Sequence, residues 1–124
     1  MTQSPQIIAK YYDFLIYLIP YISDFPRNQR FLLGERLELA CFDLLELLLD
    51  ACYSRLKIPV LQQSNLKLEK IRYYVRLCKD LKLISLHRYE VISKMINEIG
   101  MQLGGWIKQP NRLPINSAAY PLAT

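Results

Sequence analysis

Six cations fall between residues 67 and 82, namely Lys67, Lys70, Arg72, Arg76, Lys79 and Lys82, against two acids and with Tyr73 and Tyr74 among them. Guanidinium forks match phosphate oxygens in pairs, and each neutralised phosphate releases counterions, which makes such binding salt-sensitive. Helical spacing sets Arg72, Arg76 and Lys79 within roughly 60° of one another on the outer side. Lys82 lies beside that stripe, while Lys67 and Lys70 point elsewhere. Like charges one turn apart cost about a few tenths of a kcal/mol per pair, so the stripe needs a counter-charge. Carboxylates of a neighbouring helix or subunit would supply it, and so would the phosphates of a nucleic acid. The spacing alone weighs the two equally.

Three more cations stand where a helix dipole disfavours them: Arg27 and Arg30 in the first turns of the second expected helix, and Arg88 near the start of the fourth. In an up-down bundle those starts share one end with the last turns of helix three. Arg27, Arg30, Lys79, Lys82 and Arg88 would then form a basic rim, the alternative being scattered, solvated charges.

Other chemistry has little to stand on. The lone histidine, His87, has no evident nucleophile beside it, so no catalytic residue and no enzyme activity are expected. Cys41, Cys52 and Cys78 form no C-x-x-C pair and read as reduced core thiols, so neither a metal nor another cofactor is expected. Tyr74 belongs to the inward arc of its helix and Tyr73 to its margin, which favours packing over base stacking. Trp106 reads as a packing anchor. Gly100, Gly104 and Gly105 read as sites where helix four approaches a neighbour closely.

The elements that position these residues are helical throughout, because apolar residues recur at three and four and no β-branched alternation occurs. Helix one is expected from Gln6 to Ser23, with Ile8, Tyr11, Tyr12, Leu15, Leu18 and Ile19 inward and Pro20 bending its last turn. Asp24 as cap and Pro26 in the first turn open helix two, which runs to Arg55. A loop, KIPVLQQSN, then leads to helix three from Ser64 to Leu83, with Leu68, Ile71, Tyr74, Val75, Cys78 and Leu81 inward. Ser85 caps helix four. The result is an all-α, up-down-up-down four-helix bundle over residues 1–108, with 109–124 a flexible tail containing three prolines.

Helix two has an excess of apolar surface. Glu35, Glu38, Asp43, Glu46 and Asp50 share one arc, leaving roughly 220° to Leu37, Leu44, Leu45, Leu47, Leu48 and Ala51, where a bundle helix needs a little over 100°. Either its own chain covers it from several sides, or a homo-oligomer does. The same acids exclude a membrane span, and no secretory leader opens the chain, so a soluble, cytoplasmic protein without a membrane partner is expected. A length of 124 residues suits one domain, and a formal charge of +5 suits an anionic partner.

IRYYVR in helix three, YLIPYISDFPRNQRF across the first turn and GMQLGGWI closing helix four stand in an order that resembles the accessory variability determinant proteins of diversity-generating retroelements. The resemblance covers about residues 8–108. It implies a pentameric barrel of bundles that associates with the element's reverse transcriptase and binds RNA or DNA, supporting error-prone cDNA synthesis without being the polymerase. It also implies that Arg72 and Arg76 belong to a basic surface, which Lys79 extends. The pattern is similar, too, to proteins encoded within ribosomal RNA intervening sequences. The competing reading is a structural bundle that binds only protein.

Overall fold

A computed structural model of the chain describes residues 6–110. Among them lie four long helices and no strand. Helix α1 spans Gln6–Ser23. Helix α2 is composite, opening as a short α turn, Arg27–Gln29, passing through a π-helical segment, Arg30–Gly34, and continuing as α-helix over Glu35–Tyr53. Helices α3, Lys57–Asp80, and α4, Leu86–Lys108, complete the bundle. α1 packs on α2 and α4, and α3 packs on the same two from the opposite corner. The apolar periodicity therefore yields the right count and order of helices.

Each helix buries one stripe. Ile7, Tyr11, Phe14, Leu18 and Ile22 of α1 meet Leu37, Leu44 and Leu48 of α2, Leu61, Leu68, Ile71 and Val75 of α3, and Ile92, Ile96, Leu103 and Trp106 of α4 in one core. Burial of each such large side chain contributes about 1.5–3 kcal/mol. The Tyr11 hydroxyl donates to the Cys41 carbonyl at 2.6 Å, tying α1 to α2 inside that core. Tyr12, expected inward, is more than half exposed; Ile7, Phe14 and Ile22 take the inward positions instead.

The start of α3 differs from the expectation. The segment read as a loop is helical from Lys57, and Ser64, read as an N-cap, is fully buried mid-helix with its hydroxyl donating to the Val60 carbonyl at 2.8 Å. Pro59 misled the reading: it stands in the first turn, where its missing N–H forfeits no helical bond. Lys57 makes the tight corner possible. Its ammonium is buried and donates to the carbonyls of Ala51 at 2.7 Å, Cys52 at 3.2 Å and Ser54 at 2.8 Å, so three donors satisfy the end of α2 where the helix dipole also favours a cation. That capping ends α2 at Tyr53 rather than Arg55.

At the opposite end, α2 begins at Arg27, with Pro26 in the N-cap position instead of the first turn and with no side-chain cap from the expected Asp24. The π segment lets Gly34 sit against Ile22 and Phe25, where an added Cβ would come within 3.0 Å of Ile22. α3 closes at Asp80, three residues early, through a Schellman turn: Leu83 N–H bonds to Cys78 O at 2.8 Å and Lys82 N–H to Lys79 O at 2.9 Å. α4 opens as expected, with the Ser85 hydroxyl accepting from Arg88 N–H at 3.0 Å. No helix among the described residues is long and apolar enough to cross a membrane. Most of the expected tail, from residue 111 on, lies outside the described residues.

Candidate nucleic-acid interface

The sequence stripe occupies the groove between α3 and α4, and its three members differ. Arg72 reaches across to α4, where it hydrogen-bonds the Asn97 side chain, and its Nε lies 3.4 Å from Glu69. Its guanidinium occupies the space above Gly100, where a Cβ would meet Arg72 Nη2 at 2.9 Å. Gly100 is thus the close approach expected of the glycines, while Gly104 and Gly105 have no atom within 4 Å of an added Cβ. Arg76 is the most open, its side chain 61% exposed, with Nε 3.8 Å from Asp80 one turn on. Lys79 stands 3.4 Å from the same carboxylate and 4.7 Å over the ring of Tyr89. The counter-charges therefore come from α3 itself, through Glu69 and Asp80. The acidic arc of α2 contributes a single pair across to α3, Asp43 with Lys67 at 3.5 Å.

The rim is different in kind. The end of α1, the start of α2, the end of α3 and the start of α4 meet there, as the up-down order requires. Arg88 donates to the Tyr17 hydroxyl at 2.8 Å and lies 3.9 Å from the centre of the Tyr21 ring, a cation–π contact that leaves its charge unneutralised. The Tyr17 hydrogen bond, foremost, raises the already high pKa of Arg88. Arg30 donates to the Ser23 carbonyl at 3.2 Å. Arg27 and Lys82 are exposed. Among the described residues, none of Arg27, Arg30, Lys82 and Arg88 is paired with a carboxylate. Lys82 stands at φ 62°, in the left-handed region that favours glycine.

So the structure brings the seven candidate cations onto one groove and one adjoining end, and it divides them into a neutralised set and an open set. Sequence reasoning missed the residues that set this division. The i,i+4 spacing of Tyr17 and Tyr21 on α1, beside a cation at the start of α4, is the kind of signal that an up-down bundle translates into a stacked arginine. Tyr73, placed at the margin of the core, is 64% exposed. Asn97, which holds Arg72, carries no sequence signal of its own. No group of residues suited to hold a metal ion occurs among the described residues.

The described residues thus form a small, basic, all-helical four-helix bundle. The chain belongs to the bAvd-like family, whose match spans residues 6–110. No curated protein matches it.

Proposed function

We propose that this chain is a non-enzymatic accessory subunit of a diversity-generating retroelement, self-associating and binding the backbone of RNA or DNA beside the element's reverse transcriptase. Family membership supports the accessory role. The nucleic-acid reading rests on the rim: Arg27, Arg30, Lys82 and Arg88 share one end of the bundle with no carboxylate paired to them among the described residues. Unpaired cations without base-edge donors arranged around them bind phosphate and read little sequence. Self-association, as a homopentamer by the family resemblance, is supported by the exposed apolar face of α2.

The test is a gel-shift titration of single-stranded RNA and DNA across salt. Arg27→Ala with Lys82→Ala keeps the fold and lowers the slope of log affinity against log salt by about two units. An unchanged slope removes the rim from the mechanism. The protein-only scaffold is favoured by one observation, the pairing of Arg72, Arg76 and Lys79 with Glu69 and Asp80. It predicts no retention of either nucleic acid near physiological salt, so the same titration decides between them.

A further inference from the structure

The bundle leaves two large apolar faces open, on adjacent helices of opposite charge. On α2 and its π segment, Leu32, Leu39, Phe42, Leu49 and Tyr53 are all at least 40% exposed. With Glu35 and Glu46 they continue a three-four spacing over residues 32–53, the pattern of an exposed helix seam. On α3, Leu66, Tyr73 and Leu77 are 57%, 64% and 44% exposed. Together with Lys70 they line an apolar surface groove bounded by Glu69, Arg76 and Asp80.

Charge selects what fits these faces. The α-helical part of α2, Glu35–Tyr53, holds five carboxylates and one arginine, a net −4; α3, Lys57–Asp80, holds six cations and two carboxylates, a net +4. Within the chain only Lys67 and Asp43 join the two helices by an ion pair among the described residues, which leaves Glu35, Glu38, Glu46 and Lys70 unpaired. Seating α2 on a second α2 would lay acid against acid, and α3 on α3 cation against cation, arrangements that like-charge repulsion suppresses. Neither face therefore suits a two-fold contact with itself.

We infer that the α2 seam of one copy seats in the α3 groove of a second copy of this chain. The inference rests on the self-association proposed above and adds which faces meet. Such a contact is heterologous, so each copy donates one face and accepts on the other, and repetition closes a ring or extends a filament. Glu35, Glu38 and Glu46 then bring opposite charge to Lys70 and Arg76. Tyr73 serves protein packing between copies, and nucleic acid is left the rim.

Light scattering on the intact chain comes first, then cross-linking of Leu39→Cys and Tyr73→Cys variants with a short bis-maleimide. The native thiols are buried and stay silent. Each single variant is expected to remain uncross-linked, a mixture of the two to give a covalent dimer, and one chain carrying both to give a ladder ending at the subunit number seen by scattering. Lys70→Glu is expected to weaken assembly and Lys70→Glu with Glu46→Lys to recover it. A chain that scatters as a monomer overturns self-association itself and this assignment with it. An oligomer whose mixed variants give no covalent pair, or in which Leu39→Cys alone gives one, overturns the assignment of faces and leaves self-association standing.

Discussion

Arg72 and Arg76 lie one turn apart on α3, and only the first is tied down. Arg72 joins α3 to α4 through Asn97 and Glu69, so Arg72→Ala is expected to lower stability by about 1–2 kcal/mol while leaving the salt slope of nucleic-acid binding in place. Chemical melts and the gel-shift titration read the two quantities separately. Lys82 shows the opposite bargain. It holds a left-handed conformation that glycine adopts freely, so Lys82→Gly is expected to stabilise the fold by about 1 kcal/mol. The same change removes a rim cation, and the salt slope should fall by about one unit. Lys57→Met removes the ammonium that three carbonyls share at a buried corner and should cost about 2 kcal/mol or more in denaturant melts.

At the scale of the helix, two serines separate a boundary from an interior. Ser85 accepts from Arg88 N–H at a helix start, and Ser85→Ala should cost about 1 kcal/mol. Ser64 donates back to Val60 within the helix, a bond that competes with the helix rather than starting it. Ser64→Ala should therefore change stability by no more than about 0.5 kcal/mol. Were α3 to begin at Ser64, both variants would lose stability alike in the same melts. The glycines of α4 sort likewise. Gly104 and Gly105 meet open space, so Gly104→Ala should gain about 0.5–1 kcal/mol. In the π segment, Gly34→Ala presses on buried Ile22 and should destabilise.

For the molecule as a whole, alkaline pH tests the core. Burial pushes the Cys41 and Cys78 thiols up to about 12, well above an ordinary thiol. Below pH 9 both are protonated in folded and unfolded chains alike, and their full contribution to stability is present. As the pH climbs from 9 towards 12 only the unfolded chain ionises, so stability falls. Burial lowers the pKa of Lys57, and its contribution runs the other way, since the unfolded chain then holds the extra proton and stability rises towards the ordinary lysine pKa. The Tyr11 hydroxyl, pushed up by the same burial, joins the two thiols above pH 10, so the net change is a loss. The melting temperature is expected to fall from pH 8.5 to 10.5, more gently in Cys78→Ala.

Periodicity alone determined the four helices, their order and the Ser85 cap, because a spacing of three and four admits one kind of element and short connections admit one topology. The apolar surplus of α2 lies elsewhere than periodicity put it: Leu37, Leu44, Leu48 and Ala51 are buried by the chain itself, and Leu32, Leu39, Phe42 and Leu49 are the exposed ones, because which arc faces the core is set by the neighbouring helices. Tertiary structure decided which cations are free. Charges at i,i+3 and i,i+4 look equivalent along α3, but Asn97 and the space over Gly100 belong to another helix and claim Arg72 alone. The open end exists only where four helix termini converge, bringing Tyr17 and Tyr21 beside Arg88 across 71 and 67 positions of chain. Electrostatic neutralisation depends on distance in space, and a linear sequence specifies that distance only within a helix.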